Sequence, residues 1–418
     1  MSNQFIDTSI VGGPILIGLY AVAAALILVL LLRRVGRRRA VLTGATVIAA
    51  AGAGWVLAWL VSDVWNVFGV SLSPVTLLWV SFFFGSLALA FWALARSRWW
   101  RRVLAILAIP VFLLSTAAGI NADFGEATTL RDALGIPRYH ALDTAPATGA
   151  DAALGTVGTV TIPATVSGFV PRQALVYLPP AARVAHPPVL PVIEVFSGQP
   201  GSPDDLFVSG RLDAVLNSYA AAHQGLAPIV VVPDQLGAPD QNPMCVDSAL
   251  GNVATYLTVD VPAWVRAHFS VAAAPGGWAI AGFSEGGTCS IQLGAEHPEL
   301  FGTILDISGE ITPKAGAPAA TIQAGFAGNA AAYAAAAPTA VLARHAPYAD
   351  LAVIFAVGGN DARYRAWAST LRDAATHAGA STHLIISPGT AHDWYTVNYA
   401  WTQALPLIMQ RLGLAGPS

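Results

Sequence analysis

The stretch Gly282-Phe283-Ser284-Glu285-Gly286 sets a serine between two glycines, in the pattern G-x-S-x-G. The apolar residues Trp278–Ala281 before it predict a short strand, and Gly287–Glu296 after it predict a helix. At such a turn the serine backbone is strained and its hydroxyl stands exposed above the end of the sheet. Side chains two residues before or after the serine would collide with neighbouring chain, which explains the glycines. The pattern predicts that Ser284 is a nucleophile.

The composition indicates membrane-spanning segments. Of the 418 residues, 55% are hydrophobic and only 11% are charged, whereas soluble globular proteins carry about 25% charged residues. The formal net charge is −3, so we expect no nucleic-acid partner, which would need a basic surface. The cysteine and histidine spacings do not match those of zinc sites, and we expect no metal.

The chain has two cysteines, Cys245 and Cys289. They could form a disulfide if this part of the chain lies outside the cytoplasm. The sequence does not give their separation in space, so the bonded and the free state both stay open. Because Cys289 closely follows Ser284, a disulfide there would brace the nucleophile.

Four apolar runs open the chain, each close to the ~20 residues that a helix needs to cross a bilayer. They are Ile10–Leu32, Ala40–Val61, Val75–Ala95 and Val103–Ile120. Their interiors lack charged residues and histidine, so we expect an anchor in the lipid bilayer rather than an ion or proton path.

Arginines predict how these runs are oriented. They cluster between runs one and two and between runs three and four, while the N-terminus and the loop between runs two and three have neither Lys nor Arg. The clusters are Arg33, Arg34, Arg37, Arg38, Arg39 and Arg96, Arg98, Arg101, Arg102. Since basic loops stay in the cytoplasm, we expect a multi-pass cell-membrane protein whose N-terminus and C-terminal domain are extracytoplasmic.

From Leu154 onward, short β-rich runs alternate with helical stretches, which indicates an α/β domain with a mostly parallel sheet. The eight predicted strands are Thr156–Ile162, Ala174–Leu178, Val189–Phe196, Pro228–Val232, Trp278–Ala281, Gly302–Ile307, Leu351–Val357 and Thr382–Ile386. The Ser284 turn follows the fifth of these eight strands, which is the order of an α/β-hydrolase sheet. We therefore predict a membrane domain with four transmembrane helices (1–122), a linker (123–153) and an extracytoplasmic α/β-hydrolase domain (154–418).

A serine nucleophile needs a base, and the base needs a carboxylate to orient it. In the eight-stranded order above, the acid should follow strand seven and the histidine should follow strand eight. Asp361 and His392 occupy those positions. Asp361 could instead cap a helix, and His392 could be a surface residue. Asp306, Asp373 and Asp393 are weaker candidates for the acid.

The oxyanion of an acyl-transfer reaction needs hydrogen-bond donors. We expect the backbone N–H of Glu285, next to the nucleophile, and one from the loop Ser197–Asp205 after strand three. Pro200 has no N–H, so Gln199 is our choice in that loop.

Taken together, these stretches resemble an esterase branch of the α/β-hydrolase superfamily that includes feruloyl esterases, S-formylglutathione hydrolases and actinobacterial mycolyltransferases. The matching segments include the Ser284 elbow, Gly358–Asp361 and the His-Asp-Trp ending at Trp394. The resemblance covers about Leu154–Leu414. It implies a catalytic triad of Ser284, Asp361 and His392 with no metal and no cofactor.

Three functions are compatible with these features. The first is a membrane-anchored serine esterase that cleaves carboxylic esters, such as envelope lipids or glycans, through an acyl-enzyme. The second is an acyltransferase that passes the acyl group to a sugar or lipid hydroxyl, as mycolyltransferases do. The third is a non-catalytic module that binds the cell envelope, which the intact triad argues against.

Overall fold

The computed structural model describes residues 5–32, 36–95 and 97–414. The chain forms two compact units, residues 1–137 and 138–418, and each is described by itself. The boundary between the units falls within the predicted linker, residues 123–153. The division into a membrane domain, a linker and an extracytoplasmic domain remains a prediction.

The first unit contains four long apolar helices, as the four apolar runs predict. They are α1 (Pro14–Leu31), α2 (Arg37–Trp59, continued by a π-helical turn at Leu60–Val64), α3 (Pro74–Leu94) and α4 (Trp99–Phe124). Their mean hydropathies of 1.8 to 2.7 and their lengths would allow each to cross a membrane. A short helix, α5 (Leu130–Ala133), follows. Of the predicted arginine clusters, Arg33, Arg34 and Arg96 lie outside the described residues.

Small residues let these helices approach one another. Gly119 on α4 lies against the ring of Trp79 on α3, and Gly85 on α3 lies against Ala51 on α2. Such close contacts are typical of helices that associate in lipid, where burying apolar surface gives no driving force. Large apolar side chains on the outer faces, among them Ile48, stay exposed.

The second unit is built on an eight-stranded sheet with the order β1-β2-β4-β3-β7-β8-β9-β10. The pairs β1–β2 and β2–β4 are antiparallel, and the remaining pairs are parallel. The strands are β1 (Thr156–Val160), β2 (Ala174–Leu178), β3 (Val192–Phe196), β4 (Ile229–Val232), β7 (Trp278–Phe283), β8 (Thr303–Ile307), β9 (Ala352–Gly358) and β10 (Ser381–Ser387). All eight predicted strands are present, and the predicted α/β-hydrolase fold is confirmed.

Helices cover both faces of this sheet. Their bounds are α6 (Asp205–Val208), α7 (Leu212–Ala222), α8 (Val253–Thr255), α9 (Val261–His268), α10 (Glu285–Glu296), α11 (Pro318–Phe326), α12 (Ala330–Ala335), α13 (Pro338–His345), α14 (Ala362–His377) and α15 (Trp394–Arg411). One core cluster lies between the sheet and helices α7 and α15, and it includes Leu216 and Trp401. Helices α10, α13 and α14 pack side by side, with α10 against β7 and β8.

One small element has no counterpart in the sequence-based prediction. A hairpin pairs β5 (Asp247–Ser248) with β6 (Gly251–Asn252) in the loop between β4 and β7. Each of these strands has only two residues, which is too few to produce a recognisable alternation of apolar and polar side chains. The hairpin follows directly after Cys245 and thus belongs to a loop that reaches the site described next.

Candidate active site

The Ser284 turn has the strained geometry that its glycines predict. Ser284 has φ 58° and ψ −116° between β7 and α10, a conformation that costs a residue other than glycine about 1–3 kcal/mol. A Cβ atom on Gly282 would overlap the carbonyl oxygen of Gly286, and one on Gly286 would overlap that of Ser197. The backbone N–H of Ser284 donates to the carbonyl of Ile307 on β8 (2.8 Å), which holds the turn against the sheet.

His392 meets Ser284 across 108 residues of chain. Its Nε2 atom lies 2.9 Å from the Ser284 Oγ atom. Ser284 ends β7 and His392 lies between β10 and α15, so both sit at the carboxyl end of the parallel strands, where sites in open α/β sheets form. The distance is that of a hydrogen bond through which a base accepts the serine proton.

Asp361 lies on the other side of the imidazole. Its Oδ2 atom is 3.4 Å from Nδ1 of His392, and both side chains are nearly buried. The distance fits an ion pair, yet these two atoms form no hydrogen bond with each other or with any other described residue. Catalytic hydrogen bonds are often long in the unliganded state and tighten when substrate binds. Asp361 also caps α14, because its Oδ1 atom accepts from the Tyr364 N–H (3.1 Å).

The three weaker candidates for the acid face elsewhere. Asp373 is exposed on α14 and pairs with Arg372 (2.8 Å). Asp393 caps α15 by accepting from the Thr396 N–H (2.8 Å), and it also accepts from the Ala391 N–H (2.7 Å). Asp306 accepts from the N–H of Gly309 (2.7 Å) just beyond β8. Burial raises the pKa of the Asp306 carboxyl to about 7, which its bond to the Gly309 N–H partly opposes. Of these carboxylates, Asp361 is the one that contacts the imidazole of His392.

The two expected oxyanion donors belong to adjacent segments. Glu285 is in the first turn of α10, where N–H groups have no carbonyl partner within the helix. The loop that carries Gln199 passes close by, since a Cβ on Gly198 would lie 3.5 Å from the Ser284 Cβ. The Arg172 side chain stabilises this loop by donating to the Gly201 carbonyl (3.0 Å).

A buried group lies beneath the nucleophile turn, and it includes the disulfide that the sequence left open. Cys245 and Cys289 form a disulfide with their Cα atoms 5.5 Å apart. The Glu285 carboxyl lies against it, 3.0 Å from Cys289 Sγ, and accepts from Gln235 Nε2 (3.1 Å). Burial raises the pKa of Glu285 to about 8. These two sulfurs and the carboxyl lie within 4.8 Å of one another, but bonded sulfurs offer a metal no thiolate.

Glu310 and Tyr364 also line the site and were missed by sequence reasoning. The Tyr364 ring lies 4.2 Å from the His392 ring, and its hydroxyl donates to Glu310 Oε1 (3.5 Å). Their sequence positions offered a signal. Glu310 comes just after the carboxyl end of β8, and Tyr364 comes three residues after Asp361.

Comparison with known proteins identifies the family of this chain. Residues 170–412 match the family model described as "Putative esterase". The chain belongs to this esterase family. An uncharacterized protein of Corynebacterium glutamicum is 32% identical over 330 residues, which cover 75% of this chain and 77% of that protein. Because residues 138–418 make up a smaller share of the chain, the match extends into the N-terminal helical unit.

Two solved structures share the fold of the esterase domain. A ferulic acid esterase has a TM-score of 0.51 at 18% identity, covering 62% of this chain and 98% of its own. An S-formylglutathione hydrolase from Agrobacterium tumefaciens has a TM-score of 0.50 at 18% identity, covering 62% and 96%. At this identity the likeness establishes the α/β-hydrolase fold.

Proposed function

We propose that this member of the esterase family is a membrane-anchored serine esterase that cleaves carboxylic esters through an acyl-enzyme. The observation that carries the proposal is the contact of His392 with both partners, 2.9 Å from Ser284 Oγ and 3.4 Å from Asp361 Oδ2. Serine, imidazole and carboxylate in this order are the parts that acyl transfer by a serine nucleophile needs.

Each residue has a role in the proposed reaction. Ser284 Oγ attacks the ester carbonyl while its proton passes to His392 Nε2, and Asp361 stabilises the imidazolium that forms. The tetrahedral oxyanion accepts from the backbone N–H groups of Glu285 and Gln199. The carbon–oxygen bond to the alcohol then breaks, and the alcohol leaves with the proton from His392. Water, deprotonated by His392, releases the acyl group and restores Ser284.

We further propose that the esterase domain is extracytoplasmic. The described arginines at the starts of α2 and α4, among them Arg37 and Arg101, belong to one side of the helical unit, because Arg101 donates to the Leu32 carbonyl at the end of α1 (2.7 Å). Residues near the N-terminus lie at the opposite side, where Ser9 pairs with Thr129 beyond α4. Loops rich in arginine stay in the cytoplasm, so the arginine side of the helices is the cytoplasmic side. The chain leaves the end of α4 on the opposite side, which favours an extracytoplasmic esterase domain.

The reaction is tested with the full-length protein in detergent micelles. We expect a burst of p-nitrophenol from a p-nitrophenyl ester and labelling of Ser284 by a fluorophosphonate. Ser284→Ala should abolish both, and Ser290→Ala, which changes a buried serine six residues further along the chain in α10, should keep the label. Absence of both burst and label in the wild-type protein would refute the proposal. Fusion of alkaline phosphatase to the C-terminus, active only outside the cytoplasm, tests the orientation.

The same acyl-enzyme could pass its acyl group to an alcohol instead of water. Product analysis with glycerol or trehalose present decides between the esterase and an acyltransferase. Formation of a new ester at the expense of free acid would identify a transferase, and free acid as the sole product would identify an esterase.

A further inference from the structure

The loop after β8 brings a second carboxyl to the nucleophile. Two hydrogen bonds fix the backbone there: the Gly309 N–H donates to Asp306 Oδ1 (2.7 Å), and the Glu310 N–H donates to Thr288 Oγ1 on α10 (2.8 Å). The Glu310 side chain is only 11% exposed and faces Lys314, with 3.6 Å between Oε1 and Nζ. Lys314 is the one lysine in the sequence, and its charge offsets part of the cost of burying the carboxyl.

Tyr364 connects this carboxyl to the proposed triad. It is 2% exposed, its hydroxyl donates to Glu310 Oε1 (3.5 Å), and its ring packs on the His392 imidazole, whose Nε2 atom contacts Ser284. The triad itself requires neither group, since His392 already has Asp361 on Nδ1 and Ser284 on Nε2. Within the part of the chain that the structure describes, Glu310 Oε2 has no hydrogen-bond partner.

The positions of Glu310 and Tyr364 indicate which half of the ester substrate, acyl or alcohol, lies beside them. His392 returns its proton to the leaving alcohol, so the alcohol oxygen must lie beside Nε2. Tyr364 packs on that imidazole at 4.2 Å, and its hydroxyl donates to Glu310 Oε1, which places the carboxyl on the same side. The expected oxyanion donors come instead from α10 and the loop after β3. The alcohol half therefore lies next to Glu310 and Tyr364.

Glu310 Oε2 can accept a hydrogen bond, and so can the phenol oxygen of Tyr364, whose single proton is directed to Glu310 Oε1. Two acceptors match the O–H donor of a hydroxyl group, which an alcohol without further hydroxyls lacks. We propose that Glu310 and Tyr364 form the subsite for the alcohol half of the ester and select alcohols that keep a free hydroxyl beside the esterified one. The substrate class is then a partial ester of a polyol. This inference rests on the proposed esterase function.

The test compares two esters that share an acyl group. 1-Monobutyrin carries two free hydroxyls on its glycerol, and propyl butyrate has the same carbon skeleton without them. For the full-length protein in detergent, we expect kcat/KM to be at least about tenfold higher for monobutyrin, since a site built to bind a hydroxyl discriminates against an analogue without it. Tyr364→Phe and Glu310→Gln should each reduce this ratio by about fivefold or more. Glu299→Gln, which removes an exposed carboxyl, should leave the ratio unchanged.

Equal kcat/KM values for the two esters in the wild-type protein would overturn the subsite, as would variants that slow both esters by the same factor. Fluorophosphonate labelling of Ser284 establishes that each variant is folded. If a variant is not labelled, the wild-type protein tests the subsite by itself. Hydrolysis of p-nitrophenyl butyrate is measured with glycerol or with 1-propanol as the inhibitor. The subsite requires glycerol to inhibit more strongly than 1-propanol. Failure of the esterase proposal looks different, since neither ester would then be turned over.

Discussion

The side-chain amide of Gln235 joins the two segments that are expected to bind the oxyanion. Its Nε2 atom donates to the Ser197 carbonyl (2.8 Å), at the start of the loop after β3, and to the Glu285 carboxyl (3.1 Å), directly after the nucleophile. Gln235 is fully buried. One amide thus sets the spacing between two backbone segments whose separation matters for catalysis, because oxyanion donors act through a preorganised geometry.

The pH profile should depend on Glu285. Burial raises its pKa to about 8, so the carboxyl is neutral at pH 7 and becomes charged above pH 8. A negative charge there, close to the developing oxyanion, opposes the reaction. We expect kcat/KM of the wild-type protein to fall above about pH 8 and this fall to be absent in Glu285→Gln. Glu296→Gln, at the exposed end of the same helix, serves as the control, and an alkaline fall that persists in Glu285→Gln would contradict the prediction.

Reduction of the disulfide should destabilise the esterase domain. Cys245 and Cys289 are 44 residues apart, and closing a loop of that length is worth about 4 kcal/mol in the chain-entropy description. We expect Tm to fall by on the order of 10 °C with reductant. The Cys245→Ala variant without reductant should have a Tm similar to that of the reduced wild-type protein. Adding reductant should not lower the Tm of this variant further. Alkylation of two free thiols in the denatured, unreduced protein would show that no bond exists.

Mutations of Asp361 and Asp306 should differ sharply in their effect on kcat. Asp361→Asn removes the charge that stabilises the His392 imidazolium, and we expect kcat to fall by roughly 10³–10⁴-fold, as in other serine triads. In Asp306→Asn the side-chain carbonyl can still accept from the Gly309 N–H, so kcat should fall by less than about tenfold. Single-turnover kinetics measures both. The reverse order of effects would identify Asp306 as the acid.

Glu194 should make the fold less stable as the pH rises. It lies in the middle of β3, fully buried, and neither carboxyl oxygen has a hydrogen-bond partner among the described residues. Burial raises its pKa well above the ordinary 4.5. The unfolded chain loses this proton near pH 4.5 while the folded chain keeps it, so stability is lost as pH increases above 4.5. Glu194→Gln should raise Tm more at pH 8 than at pH 5, and an equal change at both values would refute this explanation.

Local patterns were sufficient for much of the site. The G-x-S-x-G turn is defined by sterics within five residues, and the structure reproduces its positive φ at Ser284 and the crowding at Gly282 and Gly286. Asp361 and His392 could be proposed because each follows a strand whose apolar run is readable, and parallel strands bring their carboxyl ends to one edge.

Gln235, Glu310 and Tyr364 have no such pattern. A buried glutamine or glutamate looks the same in a sequence as an exposed one, and what distinguishes it is which distant chain packs over it. Gln235 meets Glu285 across 50 residues and Tyr364 meets Glu310 across 54. These contacts depend on the register and twist of the whole sheet.

The sequence by itself determined the succession of strands and helices along the chain, the turn that exposes Ser284 and the four apolar helices, because these follow from the chemistry of neighbouring residues. The tertiary structure alone decided which acid faces His392, that Cys245 and Cys289 come within bonding distance, and that Glu310 and Tyr364 stand beside the nucleophile. Those outcomes depend on distances between segments far apart in the chain, which are fixed only when the core packs.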